Sequence, residues 1–504
     1  MGPNTLYRDA RRALAAQDVS GARTLLEQHL TTHPNDVSAH LDLAACCLTL
    51  KAPAIALRHA SVPDAGIESA RAALIKAKAL RALQRMDAAA HALRTLLDSR
   101  RLSVELKLNA SIELSDLLLN TFGDPEAAAA VLSQTRNPSL RERASESKLL
   151  AALYGGTQDA TSLSKAFRRH AEKYIELSHR RSNKKPRIAR QPGRLGKPRI
   201  GVVSPSLGAT PVGFLTLGTL QTLSEKAELV FFDRSPGFRD WLAQGFRESA
   251  KDWIACHGLA PRALAEQMRD KELHAIIDCG GWTDIDALRA LSLRPVARQF
   301  KWVGGQALTT GLDCFDGYLT DRWQVPPSSD HLYREPIRRF DGPYVTYVPP
   351  PYFKFSRGAK AKTGVYALVS NPAKISAATL TYLKRLKPRR LLMIDHRWRY
   401  QHTRDRFMRA LQSVSGTVEF IVPNGHAEYL ETLQAAPATF IDTRPYSMGL
   451  TAIELLLMGK AIVGPRPRAV SLMCERHSLG HQRTDDFASY HAQAAQLLRW
   501  CAEE

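Results

Sequence analysis

The sequence has 504 residues, 44% hydrophobic and 24% charged; this is too much chain for one core and the balance of an ordinary soluble globular protein, so roughly two to four domains are expected. No run approaches the ~20 uninterrupted apolar residues that span a bilayer. The net charge of +21 raises the question of nucleic acid, but no homeodomain, zinc-finger or RNP signature accompanies it, and nucleic acid is not an expected partner.

The seven cysteines, at 46, 47, 256, 279, 314, 474 and 501, are scattered and odd in number, with no C-x-x-C pair. That pattern suits reduced thiols better than a disulfide frame. The opening MGPNTLYRDARRAL has no apolar h-region, and its Leu6 stands where N-myristoylation needs Ser or Thr. A cytoplasmic protein is expected.

Residues 1–165 read as helix after helix, rich in Ala and Leu, with apolar positions at i, i+3, i+4 and i+7. Leu14, Ala22, Leu25, Leu26 and Leu30 make the first pair, closed by Pro34-Asn35-Asp36. Further second helices are expected near Ala54, Ala88 and Ala127, an irregular spacing in the mid-thirties, as in tetratricopeptide repeats. Small Ala side chains let paired helices approach closely, and a trailing proline such as Pro34 or Pro138 ends a unit. Such a helical-hairpin solenoid either binds peptide along a concave face or serves as a structural cap.

Residues 166–198 combine one more amphipathic helix, Phe167–Leu177, with a linker. From Arg168 to Arg199 there are twelve Lys or Arg against Glu172 and Glu176 alone. The run RRSNKKPRIARQPGRLGKPR has no periodicity and reads as a solvated hinge, or as a contact for acidic protein, RNA or headgroups.

At Arg199 the pattern turns to short β-branched or aromatic runs separated by helical stretches: RIGVVS, ELVFFD, AIIDCGG and ARQFKWVG. After a Pro- and Tyr-rich stretch at 313–360 a second series follows, with VYALVS, RLLMID, VEFIV, TFID and AIVG as its strands. Strands alternating with helices imply parallel sheets built of βαβ units. Two such series give two Rossmann-like lobes facing one cleft, at 199–345 and 346–504, with functional residues just after the strands.

The most informative segment is Asp442-Thr-Arg-Pro-Tyr-Ser-Met-Gly-Leu-Thr-Ala-Ile-Glu454. A strand ends at Asp442, a Pro/Gly loop follows, and a helix starts near Thr451. The amides and dipole of a helix start seat a phosphate, and the Thr451 hydroxyl adds to that seat. Glu454, one turn in, is placed to grip a ribose diol, as acids do in dinucleotide folds.

This segment resembles the O-linked N-acetylglucosamine transferases and the related bacterial protein N-glucosyltransferases, whose motif runs roughly D-T-x-P-Y-N-G-H-T-T-x-x-D. Asp442 and Glu454 keep its spacing, Thr451 matches the second Thr, and the sequence departs at Met448, Gly449 and Leu450. Gly364-Val-Tyr-Ala-Leu-Val-Ser-Asn-Pro-Ala-Lys374 resembles the family strand ending in a diphosphate-binding lysine, with Asn371 in place of a nucleotide-binding Gln. The segments at 199–208, 274–283 with 290–295, 301–306 and 315–321 resemble the strands and loops of the family's first lobe. Where the family loop reads G-N-H-P, this chain has Gly208-Ala-Thr210-Pro, without an imidazole.

The resemblance implies a GT-B-type transferase behind tetratricopeptide-like repeats. It implies inverting transfer of GlcNAc or glucose from UDP-GlcNAc or UDP-glucose to Ser/Thr or Asn of a protein acceptor, which the repeat face would bind, with no metal and no cofactor. Lys374, Asn371, His426, Thr451 and Glu454 would bind the donor; Thr210, Gly305 and Gln306 would line the sugar and acceptor loop. Lys374 would stabilise leaving-group charge, and His274 or His426 is a candidate base. Two alternatives stand beside this: a scaffold that keeps the fold without turnover, and a transferase acting on a non-protein glycan. The D-x-D at Asp284 and Asp286 reads as a helix N-terminus, and Cys474, His477 and His481 are too loosely spaced for a zinc site.

Overall fold

The computed structural model describes residues 3–503 apart from 62–65, 100–101, 135–136, 177–195, 306–307, 415 and 465–486. Most of the basic linker, Gln306, and the trio Cys474, His477 and His481 therefore lie outside the described residues. The chain divides into two compact units, Met1–Ala151 with Arg397–Arg409, and Ala152–His396 with Ala410–Glu504.

The first unit is a series of antiparallel helical pairs: α1 (Pro3–Ala15) with α2 (Val19–Thr32), α3 (Val37–Thr49) with α4 (Pro53–His59), α5 (Ser69–Ala82) with α6 (Met86–Leu97), and α7 (Val104–Asp116) with α8 (Pro125–Gln134). Ala10, Ala22, Ala39, Ala44 and Ala56 are fully buried where helices meet, so close approach follows from side chains of one carbon. Local chemistry sets the helix starts. Asp18 accepts from Gly21 N at 2.8 Å, Asp36 from Ala39 N at 3.0 Å and Ser103 from Leu106 N at 3.2 Å.

A distant segment completes this unit. The first turns of the helix Gln401–Leu411 begin on Asp87 of α6, whose carboxylate accepts from Gln401 N and His402 N, both at 3.0 Å. The His402 ring lies 4.8 Å from that of Phe122. Its Nε2 is 3.1 Å from Asp124 Oδ2 and its Nδ1 is 3.0 Å from the Arg94 guanidinium. Arg406 donates to Gly123 O at 2.5 Å, and Thr403 to Phe122 O at 3.1 Å.

In the second unit, the helix Ala160–His170 packs beside the first sheet rather than continuing the repeats, so the boundary expected at 165 falls inside a helix of that unit. The cause is its apolar face: the Phe167 ring sits 5.0 Å from that of Trp282, while Arg168 donates to Tyr333 O at 2.8 Å. The first sheet has seven strands, all parallel, in the order β3-β2-β1-β4-β5-β6-β7. They are β1 (Arg199–Ser204), β2 (Glu228–Asp233), β3 (Ala250–Ala255), β4 (Ala275–Asp278), β5 (Arg298–Lys301), β6 (Gly317–Thr320) and β7 (Ile337–Arg339).

The second sheet has five parallel strands in the order β10-β9-β8-β11-β12. They are β8 (Val365–Leu368), β9 (Arg390–Ile394), β10 (Thr417–Ile421), β11 (Thr439–Ile441) and β12 (Ile462–Val463). The chain does not end in this lobe, contrary to the expected span 346–504. The helix Phe487–Leu498 returns to the first lobe, where Leu497, Trp500 and Cys501 share the core of the helix Pro211–Ser224. Gly218 makes the room, since a Cβ there would strike the Tyr490 ring. Among the described residues no helix is long and apolar enough to cross a membrane.

The Asp124 network gives a pH signature. Burial pushes the Asp124 carboxyl up, but the bond from His402 and the charge of Arg406 outweigh it and leave it below its ordinary value of 3.8. A depressed acid stabilises the fold above its unfolded value and loses that contribution as pH falls through the folded one. Asp124→Asn should therefore lower the unfolding free energy by about 2 kcal/mol at pH 7. In urea titrations the difference from the parent should shrink as pH drops below about 4.

Candidate functional site

Each sheet reverses its strand order once, between β1 and β4 in the first lobe and between β8 and β11 in the second. In open parallel sheets the crevice for a ligand opens at the carboxyl ends on either side of that reversal. In the second lobe it is flanked by the loop after β8, which carries Asn371 and Lys374, and by the loop 442–449 after β11.

Buried polar bonds fix these two loops to one another. Asp442, fully buried, accepts from Met448 N at 2.9 Å and pairs with Arg444. The Ser370 and Thr443 hydroxyls are 3.2 Å apart, Thr443 donates to Tyr446 O at 2.6 Å, and Ser376 donates to Arg444 O. Lys374 reaches across the gap. Its Nζ donates to Ser447 O at 2.9 Å and stands 4.4 Å from the centre of the Tyr446 ring. Tyr154 meets that ring edge-on at 4.9 Å, so Tyr446 is braced beneath the cation. Asn371 turns back locally, its side-chain oxygen accepting from Ala373 N at 3.0 Å.

The helix Leu450–Leu457 starts after Gly449, which adopts a φ of 63° and has no side chain to cap the first amides. This leaves the helix start suited to an anion brought by a ligand. The Thr451 hydroxyl sits 3.2 Å from that of Tyr429. Glu454 departs from expectation. Rather than facing an open crevice it is 1% exposed, and its Oε1 lies 2.8 Å from His426 Nε2. Burial raises its pKa, and the bond to His426 only partly offsets this. A buried carboxylate has to find a donor, and the His426 ring, with 27% of its side chain exposed, is what the pair presents to solvent.

The His426 ring is held on its other edge as well, its Nδ1 2.7 Å from the Tyr352 hydroxyl. The arrangement in which Tyr352 donates to Nδ1 and Nε2–H donates to Glu454 satisfies both ring nitrogens. Phe214, from the first lobe, packs 5.1 Å from the same ring, and the Tyr347 hydroxyl lies beside Glu454. His426, Thr451 and Glu454 thus cluster on one side of the helix start, and Lys374 approaches the loop that leads into it.

In the first lobe Thr210 caps the helix Pro211–Ser224. Its hydroxyl accepts from Gly213 N at 3.2 Å and donates to Ser206 O at 2.9 Å. Gly213 is required beside it, because a Cβ would overlap the Gly208 carbonyl oxygen. Gly305, with φ 48°, presses on the loop after β4, where a Cβ would overlap Gly280 O. Asp284 caps the helix Ile285–Ser292 and pairs with Arg234 at 2.9 Å.

His274 is a correction. It precedes β4, and its Nδ1 accepts from Arg199 N at 3.1 Å, at the amino ends of the strands and opposite the crevice. A strand of four residues carries the chain about 13 Å from one edge of the sheet to the other. Phe214, Tyr347 and Tyr352 carry no signal of a role in the sequence, and Tyr446, although part of the segment Asp442–Glu454, is given none by its spacing.

No protein-family model matches the sequence, and no curated protein matches it either. Among solved structures, a mutant of the Thermobaculum terrenum O-GlcNAc transferase is similar over 100% of this chain and 94% of its own, at 20% identity and a TM-score of 0.62. A thermophilic tetratricopeptide-repeat protein of Thermus thermophilus covers 36% of this chain and 96% of its own, at 21% identity and TM-score 0.25. A glycosyltransferase involved in avilamycin A biosynthesis covers 61% and 98%, at 12% identity and TM-score 0.34. The first likeness shows the fold: helical repeats followed by a GT-B-type pair of Rossmann-like lobes.

His274→Ala removes one bond to a backbone amide and should cost about 1 kcal/mol in urea unfolding.

Proposed function

We propose that the chain is a glycosyltransferase that moves GlcNAc or glucose from a UDP-sugar to Ser/Thr or Asn side chains of protein. The observation carrying this reading is the convergence of Lys374 and the helix start at Leu450 on the strand-order reversal of the second lobe, beside the His426–Glu454 pair. The likeness in fold to a protein described as an O-GlcNAc transferase supports it.

In this reading the donor's diphosphate exchanges with the Ser447 carbonyl as the partner of Lys374 and takes up the amides at Leu450 and Thr451. As the bond to the anomeric carbon loosens, positive charge builds on the sugar ring and negative charge on the departing UDP. A fixed ammonium and a helix start stabilise that leaving charge without reorganising, where preorganised electrostatics counts most. These groups supply the neutralisation that a divalent ion gives in other transferases, so transfer is proposed to need no metal. Glu454 acts through His426, holding the ring in one orientation at the donor's nucleoside end. The protein acceptor is proposed to bind along the repeats.

One observation favours a second reading. Thr210 occupies the place of the family histidine and is committed to capping its helix. A scaffold that binds UDP without turnover fits that loop.

Incubating the protein with UDP-GlcNAc or UDP-glucose and cell lysate, then measuring released UDP and acceptor masses, separates the readings. Hexose or N-acetylhexosamine added to proteins is the expected result; UDP bound but never released supports the scaffold, and glycan-borne product supports a non-protein acceptor. Lys374→Ala should cut UDP release by about 10²–10³ with the fold intact by circular dichroism. EDTA should leave the parent rate unchanged. An unaltered rate in Lys374→Ala would remove the donor-site assignment.

A further inference from the structure

At the carboxyl end of β5 the first lobe buries a lysine that the proposed chemistry does not use. Lys301 is 1% exposed. Its Nζ is ringed by backbone carbonyls: Trp302 O, Gly304 O at 2.7 Å, Val303 O at 3.0 Å and Asp278 O at 3.4 Å, with the buried Asp278 carboxylate at 3.8 Å. A buried ammonium is retained only where such partners replace water. An apolar side chain in its place would leave these carbonyls and the Asp278 carboxylate short of a donor, so the ammonium itself has a task.

That task is legible in the backbone. Three consecutive carbonyls, of residues 302, 303 and 304, turn inward onto one cation. Peptide planes that aim their carbonyls at the ammonium aim their N–H groups away from it, the arrangement from which anion- and hydroxyl-binding loops are built. The turn is possible because Gly304 and Gly305 take φ values of 86° and 48°, and because Gly281, at 52°, has no Cβ to strike the lysine's Cε. The Asp278 carboxylate completes the device from the adjoining strand, accepting from Gly280 N and Gly281 N, both at 2.9 Å. One ion pair thus sets both loops at the first-lobe reversal, and Val212, two residues past the Thr210 cap, closes against Gly304.

We propose that Lys301 is a positioning residue, an internal cation around which the 302–305 loop folds so that the outward amides of residues 303–305 receive the donor's sugar, with the 279–283 loop, whose own amides are taken up inside the fold, as its buttress. The proposal rests on the sugar-transfer reading for the identity of the ligand and on geometry alone for the loops. The test is chemical rescue. Lys301→Ala deletes the three methylenes and the ammonium, and propylammonium replaces those atoms.

In Lys301→Ala, affinity for UDP should stay within about twofold of the parent, while affinity for whichever UDP-sugar the parent binds should fall by about tenfold. Amides of residues 280–283, which are bonded inside the fold, should exchange hydrogen faster. Propylammonium chloride should restore both properties, and tetramethylammonium, which has no N–H to donate, should restore neither. If the variant folds only when propylammonium is present from expression onward, the same cage is indicated. Unchanged exchange at those amides, or equal rescue by both salts, overturns the proposal. A parent that binds UDP but no UDP-sugar overturns the sugar-transfer reading instead, and leaves the exchange measurement to decide on Lys301.

Discussion

A carboxylate taken out of water has to be met by donors, and at the carboxyl edges of both sheets that demand decides how the loops run. Asp278, Asp442 and Glu454 are all essentially without solvent contact. Asp278 gathers two glycine amides and a lysine, Asp442 gathers the Met448 amide and Arg444, and Glu454 takes the His426 ring. Each acid sits where a strand has just ended, or one turn into the helix that follows. Each converts a stretch of irregular backbone into a fixed surface, and breaking such a pair leaves a buried charge unmatched.

The two lobes apply this constraint to different ends. In the second lobe the acids brace the loop that Lys374 reaches, and aromatic rings at Tyr446, Tyr429 and Tyr352 supply bulk and hydroxyls around it. In the first lobe the acid and its lysine shape glycine turns, so what they fix there is backbone rather than side chains. Rigid amides and a rigid cation suit a reaction in which charge develops at a predictable place.

Much of the architecture was legible in the sequence because its signals are local. Ala-rich pairs at a mid-thirties spacing mark the repeats, and the β-branched runs at 199–204, 228–233 and 275–278 mark strands buried on both faces. β3 escaped notice because an edge strand reading AKDWIA keeps Lys251 and Asp252 toward solvent and shows no apolar run. The three residues of β7 are too few to carry a pattern. Lys374 and the span from Asp442 to Glu454 stand out by spacing, but the pairing of Glu454 with His426 does not, because it joins residues 28 positions apart that only the folded lobe brings together. Likewise nothing in the C-terminal helix announces that it will pack on a core begun near residue 200.

The segment Arg397–Arg409 belongs to the helical unit, although some 245 residues of the second unit separate it from Ala151. During synthesis the repeats emerge before that segment, so the amides that Asp87 receives and the His402 and Arg406 partners of Asp124 arrive only when it leaves the ribosome. At ~5–20 residues per second the delay is on the order of tens of seconds. Throughout that interval Phe122 lacks the His402 and Tyr400 rings that later meet it, so the repeats wait for a distant helix to complete their core.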